Sequence, residues 1–398
     1  MDKLFYCKGN LDEEDMVKKI AVLLTSVPQF GGEHQYLVLL MEAIKKCDGR
    51  YFEVLGISGN KFWNDWCKKN NINYIKYQVD YKPEMVIQNN MRYPLGAVVY
   101  NILFDNLSRI IIRNRVKLLI CGQQGIFLPK LPCKVLRPVH DLMHRYEPNF
   151  PEIKSTIKER EILFSSVARL ADIILVDSEL GKQQFVESYY CKRGNPKVEI
   201  LPFVVPSHIN KLKEEYIETP DKYIFYPAQF WEHKNHVNLI KAIALLKERE
   251  PDIKLVLVGS EKNSMQRVKK MIAERKLENN VFIFGFVSDE QITYLYKHAV
   301  ALVMPSYFGP TNIPPLEAMS LGCPTIVSDK YAMKEQVGDA GLFFNPDIPE
   351  EIGESILRVW NSEKLREQMK QRGYQKIQSW TQNDFKSKFI KIILRELQ

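Results

Sequence analysis

Five short runs in the first half of the chain are almost continuously apolar: IAVLLTS (20–26), YFEVLGIS (51–58), VKLLICG (116–122), CKVLRPVHD (133–141) and ADIILVDS (171–178). They are rich in Val, Ile and Leu, and they read as strands buried on both faces. Helix-period segments separate them, among them EHQYLVLLMEAIKKC (33–47) and LGAVVYNILFDNLSRIIIRNR (95–115). Such an alternation folds as a parallel sheet covered by helices on both sides. After the polar segment PSHINKLKEEYIETPDK (206–222) the pattern starts again, with strands at 223–229, 253–260, 280–287, 300–306 and 323–329 and helices at 235–250, 264–277 and 289–299. The spacing predicts an α/β protein of two doubly wound domains joined by a linker at 206–222. A chain of 398 residues is too long for one ordinary core, which agrees. The last stretch, WTQNDFKSKFIKIILREL (380–397), is amphipathic. It could pack back across the first domain or turn a basic face to lipid, and packing is the reading we favour.

Net charge is +8 with both signs interspersed, and no Lys/Arg tract marks a nucleic-acid groove. The seven cysteines are odd in number, scattered and without a C-x-x-C pair, which argues against a disulfide framework or a zinc site. The first twenty residues are acidic where a signal peptide needs its apolar segment, and no run is long enough to span a bilayer. The expectation is a cytoplasmic protein, at most peripheral to a membrane.

Open parallel sheets bind ligands beyond the carboxyl ends of their strands. Four segments fall there. Gly31-Gly32 lies between the first strand and its helix, where backbone amides and the helix dipole suit a phosphate; a plain tight turn is the alternative. His140 ends a strand in RPVHDLMHRYEP and would face the cleft, while His140 with His144 has the spacing of a metal pair that lacks a third ligand nearby. Lys234, in QFWEHKNH, sits at a loop-to-helix position where an ammonium reaches phosphate oxygens, or is a solvated surface lysine. The segment PSYFGPTNIPPLEAM (305–319) opens a short helix, predicted over 315–321, with Pro314-Pro315 at its N-cap and first turn and Gly322 past its end. The amides of Thr311, Asn312 and Ile313 could cradle an anion there. Glu317 would repel a phosphate placed over it but would accept two ribose hydroxyls well. A sugar nucleotide satisfies both demands.

At these residues the sequence resembles family 4 of the retaining glycosyltransferases, over nearly the whole chain and most closely from Tyr223 to about Val359. PPLEAMSLGCPTIVSD followed by EQVGDAGLFF carries the likeness. The resemblance implies the GT-B fold: a Rossmann-like acceptor domain (1–205), a linker (206–222), a Rossmann-like donor-binding domain (223–379), and a terminal helix (380–398) crossing back to the first. It implies that Glu317 holds the donor ribose, Lys234 the diphosphate, Gly285 and Val287 (in FGFV) the nucleobase, His140 the transferred sugar, and Gly31-Gly32 the N-terminal glycine loop. Two positions depart from the pattern. Gly309 stands where the family has the first acid of its E-x7-E element, and Gln229 stands where it has an arginine before the lysine. Both departures resemble a bacterial polysaccharide-assembly branch. Without an acid at 309, sugar hydroxyls would turn to Pro310, Thr311, Asn312 and Ile313.

The expected reaction transfers a hexose, mannose among the candidates, from a nucleoside diphosphate sugar to a hydroxyl of a glycan or lipid-linked acceptor with retained anomeric configuration. His140 and Lys234 are the catalytic candidates, and Gly31, Gly32, Gln229, Lys234, Gly285, Val287, Pro310–Ile313 and Glu317 the donor-binding ones. No cofactor or metal is expected, since no D-x-D element sits where a metal-dependent transferase would place one. The expected partners are the donor, the acceptor and no nucleic acid. The basic face around Arg109, Arg113, Arg115 and Lys117 could touch the inner face of a membrane. A catalytically silent nucleotide-sugar-binding subunit is the alternative from another class, and a sugar-nucleotide epimerase a third reading.

Overall fold

The computed structural model describes residues 17–28, 31–47, 49–81, 105–190, 194–206, 209–309 and 311–398. Seven parallel strands form the first sheet: β1 (Lys19–Leu23), β2 (Glu53–Ser58), β3 (Asn73–Lys76), β4 (Val116–Cys121), β5 (Lys134–Pro138), β6 (Ile173–Val176) and β7 (Lys197–Ile200), in the order β3-β2-β1-β4-β5-β6-β7. Six more form the second: β8 (Ile224–Pro227), β9 (Leu255–Val258), β10 (Val281–Phe284), β11 (Ala301–Met304), β12 (Thr325–Ser328) and β13 (Gly341–Phe344), in the order β10-β9-β8-β11-β12-β13. Both orders reverse direction once, between β1 and β4 and between β8 and β11. A doubly wound sheet opens its ligand crevice at that reversal.

The apolar runs form strands because each is covered on both faces. In β1, Ile20 and Val22 join one core layer and Ala21 and Leu23 the opposite one, all fully buried. The three strands that the apolar runs do not reveal, β3, β7 and β13, are edge strands. NYIK and KVEI are only partly covered and are interrupted by polar residues, so they lack the continuous apolar run that marks a central strand; GLFF is apolar but only four residues long.

The predicted helix at 95–115 differs from what is found. Asp105 is extended (φ −93°, ψ 125°) and caps a helix at Asn106–Arg113, its carboxylate accepting from Ser108 N–H at 2.6 Å. The part before Asp105 lies outside the described residues. The terminal helix, Gln382–Leu397, packs its Phe385, Phe389, Ile392 and Ile393 into the first domain's core, against the helix Gly32–Ile44. Its last turn is held by Lys134 and Lys197, whose ammonium groups lie 3.2 and 2.7 Å from the buried Glu396 carboxylate. Among the described residues no helix is long and apolar enough to cross a membrane.

Candidate functional site

A cleft of about 470 Å³ lies between the two sheets, at the carboxyl ends of β1, β4, β5, β8 and β11. From the first domain Gly32, Glu33, Gln124, His140 and Asp141 line it; from the second His233, Lys234, Phe308, Gly309, Thr311–Ile313 and Glu317. Residues far apart in sequence converge here because both sheets reverse their strand order at this point.

Gly31 is the N-cap of the helix Gly32–Ile44 and brings no side chain over its first turn. Gly32 faces the cleft, and a β-carbon on it would lie 3.7 Å from Ile313 Cδ1 across the domain boundary. His140 follows β5. Its ring meets Tyr36 edge-on at 4.6 Å and lies 5.5 Å from Phe203, and Nε2 is buried without a partner. Burial pulls its pKa down to about 4 against the opposing field of Asp141, so the imidazole is neutral at physiological pH. Burial would raise the neighbouring Asp141 carboxyl, but Arg160, Met143 N–H and the Gln124 amide outweigh it and hold it ionised below its usual range. His144 makes no metal pair with His140: its ring stacks on Phe164 and its Nε2 lies 2.8 Å from the Tyr189 hydroxyl.

Lys234 ends a single turn, Glu232–Lys234, after β8. The turn is anchored twice. Tyr226 donates to the Lys234 carbonyl at 3.0 Å, and the buried Asn235 amide donates to the carbonyls of Pro305 and Pro346 at 3.2 and 2.8 Å. Burial lowers the lysine's pKa to about 8, while Asp141 and Glu152 pull it the other way. A lysine so placed is a partly desolvated cation that gains from an anionic ligand, not a solvated surface group.

The helix predicted over 315–321 runs over Ile313–Ser320, with Asn312 as its N-cap, so Pro314 and Pro315 are its second and third residues. Gly322 (φ +73°) ends it. Its N–H reaches the Met319 carbonyl at 3.4 Å, and Cys323 N–H reaches the Ala318 carbonyl at 2.8 Å. Two of the three amides proposed for an anion are taken up by this geometry. Asn312 N–H donates to Gln336 Oε1 at 2.9 Å and Thr311 N–H to the Asp177 carboxyl, which leaves Ile313 N–H. The prolines remove two more donors from the helix start. Pro310 lies outside the described residues. Glu317 faces the cleft one turn on, accepting from the Tyr296 hydroxyl at 2.9 Å. Burial raises its pKa to about 7, opposed by the Tyr296 hydrogen bond and reinforced by Asp289.

Four expected residues, Gly31, Gln229, Gly285 and Val287, do not line this cleft. Gln229 is exposed, its Oε1 accepting from Trp231 Nε1 at 2.9 Å. Gly285 is exposed and Val287 packs on the second core. Between them Phe286, 98% exposed, lines an adjoining crevice of about 640 Å³ with Gly31, Gln35 and Asp289. The sequence reading missed Glu33, Gln124 and His233. Glu33 stands directly after Gly31-Gly32, and its place in a helix's first turn was the available signal. Gln124 carries no chemistry of its own; its amide oxygen accepts from His140 N–H at 2.8 Å. His233 is stacked on Phe308 at 3.8 Å and its backbone N–H donates to Glu152 across the boundary at 3.1 Å.

Residues 208–376 match the family model described as Glycosyl transferases group 1, so this part of the chain is a group 1 glycosyltransferase domain. The O-antigen chain mannosyltransferase RfbU of Salmonella typhimurium is 26% identical over 71% of this chain and 77% of its own length. The mannosylfructose-phosphate synthase of Agrobacterium fabrum is 24% identical over 58% of this chain, which spans 55% of that relative's length. Among solved structures, HepE of Anabaena in complex with UDP aligns with a TM-score of 0.67 at 15% identity, over 94% of this chain and 99% of that one. The last likeness is one of fold: two facing Rossmann-like sheets with a returning C-terminal helix, the GT-B architecture.

Proposed function

We propose that this chain transfers a hexose from a nucleoside diphosphate sugar to a hydroxyl of a glycan or lipid-linked acceptor, retaining the anomeric configuration and using no metal. The observation that carries the reading is the pairing of Glu317 and Lys234 in one cleft. A carboxyl suited to ribose hydroxyls and an ammonium suited to a diphosphate face each other's ligand from two loops of the same sheet. Family 4 membership is part of the proposal and rests on the sequence signature. Mannose is the first sugar to test, because the RfbU relative is named a mannosyltransferase. UDP and GDP are both bases to try.

Charge develops on the departing diphosphate. Lys234 and Ile313 N–H meet it before the reaction begins, which is the preorganisation such a step needs. Gly309 offers no nucleophile, so attack from the leaving-group face, with a diphosphate oxygen taking the acceptor's proton, fits the residues present. His140 is neutral and can hold a sugar hydroxyl through Nε2. Arg115 and Lys117 share a crevice of about 620 Å³ with Lys18 and Lys19 on the far side of the first sheet, and that charge supports a peripheral contact with an anionic membrane.

The test uses the purified chain with a panel of nucleoside diphosphate hexoses and glycan acceptors, following product by mass and its anomeric configuration by NMR. One donor should be consumed and should raise the melting temperature. No donor binding, hydrolysis or transfer across the panel would overturn the reading. EDTA should leave the rate unchanged; strict metal dependence would remove the metal-free part.

A further inference from the structure

Position 309 is closed to any side chain. Gly309 has φ +97°, and a β-carbon there would lie 2.9 Å from the Thr311 carbonyl oxygen and 3.0 Å from both polar atoms of the Asn312 amide. The loop has folded into the space that an acid at 309 would need. Two ties hold it in that shape. One lies inside the second domain: Gln336 accepts from Asn312 N–H at 2.9 Å and donates to the Asn312 carbonyl at 2.7 Å. The other crosses the cleft. The Thr311 hydroxyl donates to Asp177 Oδ2, and Thr311 N–H donates to the same carboxyl.

Asp177 follows β6 and is 3% exposed. Its other oxygen accepts from the Ser178 hydroxyl at 3.0 Å, and Ser178 caps the helix Glu179–Tyr189. Among the described residues no Lys, Arg or His pairs with it. A buried carboxyl with only neutral partners costs stability, and burial raises its pKa to about 6. Its side-chain partner beyond its own turn belongs to the opposite domain. The Thr311 hydroxyl is therefore committed to the protein and is not a free ligand for the donor sugar.

We propose that Asp177 is a positioning residue for the transfer, fixing Thr311 and Asn312 against the donor each time the two domains close; this rests on the transferase reading above. The tie forms only when the first domain meets the second. Asn312 directly precedes the helix bearing Ile313 and Glu317, so loop and donor ligands are set together. Where an acid at 309 would grip the sugar itself, this chain fixes the loop from the far domain.

Steady-state kinetics of Thr311→Val, Asp177→Asn and the double variant test this, with Thr311→Ser as the conservative control. Each single change should lower kcat on the order of 10- to 100-fold, the scale of a small misplacement of reacting groups. Donor KM should move far less, the double variant should lose no more than either single one, and Thr311→Ser should regain most of the rate. Additive losses, or a Thr311→Val enzyme with wild-type kcat, would overturn the proposal. Small-angle scattering of the full chain gives a readout independent of activity. Thr311→Val should be more open than wild type, and unchanged compactness would also overturn it. If the wild type transfers nothing, the transferase reading fails on its own while the scattering still decides the tie.

Discussion

A carboxyl with a pKa of about 7 and a lysine with one of about 8 in the same cleft make a narrow pH window for single residues to act in. Glu317 must be ionised to accept ribose hydroxyls, so kcat/KM should fall as pH drops through about 7. Lys234 must be charged to meet the diphosphate, so kcat/KM should also fall as pH rises through about 8. Glu317→Gln should lose the acid limb and raise donor KM; an acid limb that persists in that variant would refute its assignment. Stability runs the other way. The folded pKa of Glu317 lies above its ordinary 4.5, so the unfolded chain ionises first and stability is lost as pH rises from 4.5 towards 7. Glu317→Gln should therefore melt higher than wild type at pH 8 but not at pH 4. Lys234→Ala should cut transfer on the order of 10²–10³, the cost of one donor to developing charge, and wild-type turnover would remove it from the site. The cleft positions of Lys234, His140 and Glu317 were legible because strand-end loops in a parallel sheet point into the crevice. The position of the Gln229 side chain was not, because it turns to Trp231, which no spacing rule foretells.

At the scale of the element, the helix Ile313–Ser320 shows which signals survive folding. Its end was readable from Gly322. Its start was not, because two adjacent prolines fit the first turn in more than one register. Gly322 adopts φ +73°, and a β-carbon there would meet the Tyr374 hydroxyl at 2.4 Å and Lys370 Cε at 2.9 Å. Gly322→Ala should lower stability by about 1 kcal/mol from the left-handed backbone alone, measured by denaturant unfolding, with side-chain displacement adding to it. An unchanged midpoint would mean that the helix does not end as described. The edge strands β3 and β7 teach the complementary lesson: a partly covered strand interrupted by polar residues carries no continuous apolar run, so it is found only when its neighbours are in place.

For the whole molecule, the returning helix Gln382–Leu397 binds the end of the chain to its beginning. Phe389 is fully buried against the helix that follows Gly31-Gly32. Phe389→Ala should destabilise the first domain by about 3–5 kcal/mol, seen as an earlier unfolding transition; a wild-type transition would refute that packing. Contacts across the cleft link the domains more lightly. Glu152 accepts from His233 N–H at 3.1 Å and from the Asn263 amide at 2.8 Å, and the Tyr331 hydroxyl donates to Glu147 at 2.7 Å. These are polar, reversible contacts, as domains that open and close require.

The sequence by itself determined the two parallel sheets, their restart after residue 222, the amphipathic terminal helix and the strand-end positions of Lys234, His140 and Glu317. These follow from local periodicity and from the rule that buried strands read as apolar runs. Only the tertiary structure decided that Thr311 reaches Asp177, that Gln336 occupies the Asn312 amide, that Gly309 has no room for a side chain and that Gly285 and Val287 sit outside the main cleft. Those outcomes depend on which segments fold into contact, within the second domain for Gly309, Asn312 and Gln336 and across the two domains for Thr311 and Asp177. Nothing in the spacing of residues along one chain specifies those contacts; tertiary packing does.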